Sequence, residues 1–111
     1  MEIAAQKKKN ALVVSAKGRI DAVTAPMFEN SLFDFISKGE NIFIINFAHL
    51  EYISSAGLRS ILATAKKLKE NKGEMLFAAL KDPVREVFRI SGFNSIFQIF
   101  ATDEEALATI E

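Results

Sequence analysis

Two rhythms organise the chain. Short apolar runs bounded by turn residues predict strands, and apolar residues spaced by three and four predict helices packed on one side. Ile3 to Lys8 and Ala11 to Lys17 read as two strands around a short turn at Lys9 and Asn10, the second carrying Leu12, Val13 and Val14 and the first lying at an edge. After Gly18-Arg19-Ile20-Asp21, Thr24 is placed to cap a helix whose first turn accommodates Pro26. Phe28, Leu32, Phe35 and Ile36 form its buried stripe, and Gly39 supplies its stop. Ile42 to Phe47 is a nearly unbroken apolar run, the pattern of a strand buried on both faces in a parallel sheet.

Helical spacing returns from Ser55, with Leu58, Ile61, Leu62, Ala65 and Leu68 inward and Arg59, Lys66, Lys67, Lys69 and Glu70 outward, until Asn71-Lys72-Gly73 ends it. Glu74 to Leu80 predicts another strand. Asp82 then reads as a cap with Pro83 at the first helical position, opening a short helix with Val84, Val87 and Phe88 inward and Gly92 as its close. Phe97 to Phe100 predicts a last short strand, and Thr102 to Glu105 has the spacing of a capping box before Ala106, Leu107 and Ile110. The order β-β-α-β-α-β-α-β-α predicts an α/β fold: a mostly parallel sheet of four to five strands with an antiparallel edge strand, covered by about four helices.

Composition narrows the function. With 111 residues the chain is the size of one ordinary domain, and residues 1–111 are read as one. Fourteen basic side chains balance fourteen acidic ones, so no excess charge draws the domain to nucleic acid or an anionic membrane, and Lys7, Lys8 and Lys9 read as a solvated edge or turn. The lack of cysteine removes disulfides and thiolate chemistry, and the longest apolar stretch, six residues, falls far short of the roughly 20 of a membrane span. A soluble, cytoplasmic protein is expected.

Catalytic readings find little support. The one histidine, His49, precedes Ser55 by six residues without a Gly-x-Ser-x-Gly elbow, so a serine hydrolase lacks its base. No phosphate-binding glycine loop is present. Asp103, Glu104 and Glu105 suit the first turn of a helix rather than a metal site. Phe28, Phe35, Phe43, Phe47, Phe77 and Phe88 take core positions, whereas Phe93, Phe97 and Phe100 stay open between core and an exposed patch. Neither an enzyme nor a cofactor nor a metal is expected.

The informative segment is His49 to Arg59, where the apolar strand gives way to the long helix. Ligands of open α/β sheets gather at the carboxyl ends of strands, and a helix start offers free N–H groups. Ser54 or Ser55 as a plain N-cap accounts for one serine. Ala56 and Gly57 are both small, and Gly57 is a poor helix former, which suggests that something approaches closely.

Tyr52-Ile53-Ser54-Ser55-Ala56-Gly57-Leu58-Arg59 resembles the signature of the STAS-domain anti-sigma factor antagonists, an Asp-Ser-Ser/Thr/Ala-Gly-Leu run opening a helix after a buried strand. Gly18 to Pro26 is similar to that family's upstream Gly-x-x-Asp-x-x-Thr-Ala segment, and the likeness continues through Asp82 to Phe88 and Ser91-Gly92-Phe93. The resemblance implies a bacterial partner switch acting on transcription, in which the unphosphorylated domain, a monomer, binds an anti-sigma factor that is also a serine kinase. Phosphorylation ends the binding and a serine phosphatase restores it. It places the phosphorylated residue at Ser55, with Ser54 as the alternative, and the partner-binding surface on Asp21, Thr24, Ser54, Ser55, Ala56, Gly57, Leu58 and Arg59. One position departs from the family pattern: Ser54 stands where aspartate often precedes the phosphorylated serine. The other functional class is a STAS scaffold or ligand-sensing module that phosphate does not control.

Overall fold

A computed structural model of the chain describes residues 1–110. Its elements are β1 (Glu2–Lys8), β2 (Ala11–Ile20), α1 (Ala25–Ser37), β3 (Ile42–Asn46), β4 (Leu50–Ile53), α2 (Ser55–Glu70), β5 (Glu74–Ala78), α3 (Asp82–Ser91), a 3-10 turn (Phe93–Ser95), β6 (Ile99–Phe100) and α4 (Asp103–Ala108). The sheet has six strands in the order β1-β2-β3-β5-β6, with β4 joined to β2 outside this path. Only β1 against β2 is antiparallel; every other pairing is parallel.

The period of two along the central strands divides the core between the two sides of the sheet. Leu12 and Val14 of β2, Phe43 and Ile45 of β3 and Phe77 of β5 face one side, where α1 contributes Phe28 and Leu32, α2 Ile61 and Leu68, and α3 Val84 and Phe88. Val13, Ile44, Leu76 and Ala78 face the other, where α4 covers them with Ala106 and Leu107. Phe47, just beyond β3, is fully buried and lies at ring distances of 6.2, 5.7 and 6.4 Å from Phe28, Phe77 and Phe88. Asn46 interrupts the apolar run for a reason: its side-chain oxygen accepts from Ala48 N (2.8 Å), and its amide donates to Asp103 Oδ1 (2.9 Å), holding the start of α4.

The sixth strand, β4, falls inside the segment that sequence periodicity treats as a junction. Leu50 and Ile53 are buried while Glu51 and Tyr52 between them are exposed, so the alternation of a half-buried strand never shows. A register shift between Gly18 and Arg19 lets the last residues of the ten-residue β2 pair with β4 after its first half has paired with β3. The final strand is also shorter than Phe97–Phe100, since only Ile99 and Phe100 pair with β5.

Helix starts differ in detail. Thr24 does not cap α1 with its side chain; its hydroxyl donates to Arg19 O (2.8 Å) and accepts from Asp21 N (2.9 Å), closing the loop before the helix. Asp82 is the first residue of α3 rather than its cap, and its carboxylate accepts from Arg85 Nη1 at 2.8 Å. At α4 the expected cap is present: Thr102 Oγ1 accepts from Glu105 N (3.1 Å), while Glu105 Oε1 accepts from Ala101 N (3.2 Å), one residue before the usual donor. Gly92 (φ +82°) ends α3 in the left-handed conformation that glycine adopts at little cost. Phe93 is buried and Phe97 packs edge-on against Phe77 at 5.2 Å, so these rings extend the core rather than forming an exposed patch, and Phe100 lies half-buried against the second cluster.

Because Phe47 touches three other rings at the meeting point of β3, α1 and α3, Phe47→Ala is expected to lower unfolding free energy by about 3–5 kcal/mol in urea titration.

Candidate functional site at the start of α2

Two chain segments meet at the carboxyl end of β4. The pairing of Ile20 with Ile53 is extended by a hydrogen bond from Ser54 N to Ile20 O (2.8 Å), so the loop beginning at Asp21 starts beside the first turn of α2. The upstream and downstream segments singled out in the sequence are therefore one surface.

Ser54 and Ser55 take different parts. Ser54 has an extended backbone (φ −96°, ψ 176°), and its Oγ accepts from Gly57 N at 3.3 Å, which makes it the N-cap. Ser55 is the first helical residue and is exposed. No acidic residue lies in the first turn of α2, whereas Lys67 and Lys69 lie in its last, so the positive end of the helix dipole carries no carboxylate compensation.

Asp21 and Thr24 build the neighbouring loop. The Asp21 carboxylate accepts from Val23 N (3.0 Å) and Thr24 N (3.1 Å). Above all the Thr24 backbone bond, supported by Val23, the Thr24 hydroxyl and the Arg19 charge, holds its pKa below the ordinary aspartate value. Asp21 is thus a structural anion of the loop. Arg19 lies over the Tyr52 ring, 4.3 Å from its centroid, across the β2–β4 pair. Glu51, the acid nearest to Ser55 in sequence, accepts from Lys81 Nζ at 2.6 Å, and this bond lowers its pKa most.

Of the residues assigned to a partner surface, Ser55 and Arg59 are exposed, and Asp21, Thr24, Ser54, Ala56 and Leu58 are half-buried. Gly57 is not on that surface. It is buried, and a Cβ there would lie 2.6 Å from Ile53 Cγ1 and 2.7 Å from Ile20 Cγ2. Its smallness lets α2 rest on β2 and β4, which corrects the reading that it leaves room for another molecule. Val23, which carries no motif, is 85% exposed on the Asp21 loop; only an apolar residue inside a polar turn signals it. A groove of about 410 Å³ between α1 and α2 is lined by Ala22, Pro26, Ala56 and Arg59 among others.

Other chemistry does not assemble here. His49 and Ser55 stand at opposite ends of β4, on the order of 15 Å apart by strand rise. Among the described residues no group of three His, Asp or Glu side chains is placed to hold a metal ion, and no helix is long and apolar enough to cross a membrane.

The site thus joins an exposed helix-start serine to an Asp-Thr loop on a mixed sheet with one antiparallel edge strand. The STAS domain family model matches residues 2–106, and the chain belongs to that family. It is 38% identical over 111 residues to BtrV of Bordetella bronchiseptica, named as an anti-sigma factor antagonist, covering 100% of this chain and 96% of that one. The structure of the anti-sigma factor antagonist SpoIIAA in its unphosphorylated form superposes with TM-score 0.85 at 22% identity, covering 98% of this chain and 96% of that one. The phosphorylated form of the Bacillus protein gives TM-score 0.76 at 21% identity, covering 99% and 100%.

Ser54→Ala is expected to cost about 1 kcal/mol of stability by removing the cap, while Ser55→Ala changes it by less than about 0.5 kcal/mol. Urea denaturation of both variants compares them directly. Gly57→Leu is expected to destabilise by about 3 kcal/mol or more through overpacking against Ile20 and Ile53, read as a large fall in melting temperature.

Proposed function

We propose that this protein is an anti-sigma factor antagonist that works by partner switching, with Ser55 as the phosphorylated residue. Unphosphorylated, it binds an anti-sigma factor that is also a serine kinase; phosphorylated, it releases that partner until a phosphatase restores it. In this reading the domain is a non-enzymatic, cytoplasmic monomer, and Asp21, Thr24, Ser54, Ala56, Leu58 and Arg59 frame the docking surface, joined by Val23.

The observation that carries the reading is the division of labour between the two serines. The Ser54 side chain is occupied by the Gly57 N–H, and Ser55 is exposed at the first helical position. A kinase requires an accessible hydroxyl, and Ser55 offers it. The existence of SpoIIAA in both unphosphorylated and phosphorylated forms supports the same kind of control here.

Physical chemistry then assigns the effect to the interface. Phosphate brings a charge of about −1.5 to −2, which at a helix N-terminus meets the positive end of the dipole, so the domain stays folded. In a docked interface the same charge must lose its water, a penalty of several kcal/mol unless the partner supplies a cation.

Ser54 in place of an aspartate favours one rival, a STAS scaffold or ligand-sensing module that no kinase modifies. Incubation with the cognate kinase and ATP separates them: the switch predicts one added phosphate, mapped by fragment mass spectrometry to Ser55, and Ser55→Ala that still binds the kinase within tenfold of the unmodified domain. Phosphate on Ser54, or on neither serine, contradicts the assignment.

A further inference from the structure

We propose that phosphorylation of Ser55 captures the guanidinium of Arg59 in an ion pair across one turn of α2. The inference rests on Ser55 being the phosphorylated residue and adds what the phosphate does within the domain.

Ser55 and Arg59 are four residues apart on a helix that runs unbroken from Ser55 to Glu70. Residues at this spacing are surface neighbours, and helical side chains lean toward the N-terminus, so a long side chain at Arg59 is carried back over the turn that Ser55 begins. An acid one turn N-terminal to a base is also the favoured orientation of such a pair. Guanidinium and phosphate match in shape, with two parallel N–H donors facing two oxygens.

Availability singles out Arg59. It is exposed, and among the described residues it makes no ion pair. The other cations of this end are engaged: Arg19 lies over Tyr52, Lys81 holds Glu51 and Arg85 holds Asp82. Arg59 is the one basic residue of α2 before Lys66. The acids nearby work against a phosphate. Asp21 follows the residue that accepts the Ser54 N–H, and Glu29 of α1 lines the same groove as Arg59. A new dianion at Ser55 meets these carboxylates and a single uncommitted cation.

Modification then alters the surface at two points. Charge appears at Ser55, and Arg59 is drawn from the α1–α2 groove toward the helix start.

The test uses the full chain with phosphoserine placed at position 55 by genetically encoded incorporation, so that no kinase is needed, and follows the phosphate by phosphorus NMR against pH. Phosphoserine loses its second proton near pH 6, and an adjacent cation lowers that midpoint. Arg59→Gln is expected to raise the midpoint by about 0.3 units, the shift an i,i+4 ion pair produces. Arg59→Lys is expected to keep most of the lowering, and Lys67→Gln, three turns away, to leave it unchanged. Equal midpoints for Arg59→Gln and Lys67→Gln would overturn the proposal. The proposed function fails separately, through absence of kinase-added phosphate on Ser55, and that failure leaves this titration readable.

Discussion

The parallel pairing of the last residues of β2 with β4 is the constraint from which the site follows. β2 is long enough to serve two partners in succession, first β3 and then, past the register shift at Gly18 and Arg19, β4. The bond from Ser54 N to Ile20 O is the last rung of that second ladder. It fixes the direction in which the chain enters α2, and it sets the Asp21 loop beside the helix start. Gly57 completes the joint from beneath, since a helix bearing any side chain there would be lifted off Ile20 and Ile53. Two segments more than 30 residues apart in sequence thereby become one rigid surface.

On that surface charge is distributed sparingly. Asp21 spends its carboxylate on the backbone of its own loop, Glu51 is held by Lys81, and the first turn of α2 has no acid at all. The proposed docking surface is thus short of free acids and combines small residues and an exposed Val23 with the uncommitted Arg59. Adding a dianion to such a patch changes its electrostatics more than it would change those of an acidic one. The serine hydroxyl at the first helical position bears no structural duty, so the proposed modification would act on recognition and leave the fold intact.

Much of this was legible in the sequence because the long elements keep strict periods. The stripe of α1, that of α2 apart from Leu62, which is exposed while Ser60 and Thr64 are buried, and the apolar run of β3 show their environment directly, and the Thr102 box marks α4. A serine cap at the start of α2 was legible too, but which of Ser54 and Ser55 serves was left open until the bond from Gly57 N to Ser54 Oγ decided it. What was hidden depended on tertiary placement. β4 lacks alternation because its two ends are buried and its middle is exposed. Gly57 looked like space for a partner because a sequence does not say which face of a helix a glycine occupies. Thr24 does stand at the N-cap of α1, but its hydroxyl is taken by Arg19 O instead of capping the helix, a bond that depends on how β2 ends.

The account makes the start of α2 a surface whose shortage of free acids permits binding and whose phosphorylation forbids it without unfolding the domain. Calorimetric titration of the cognate anti-sigma factor kinase with the unmodified domain and with the domain carrying phosphoserine at position 55, each shown by its melting transition to be folded, tests this most directly. The account predicts binding by the first and a loss of at least a hundredfold in affinity by the second, with similar melting temperatures. Equal affinities, or a phosphorylated domain that has lost its cooperative transition, would contradict it.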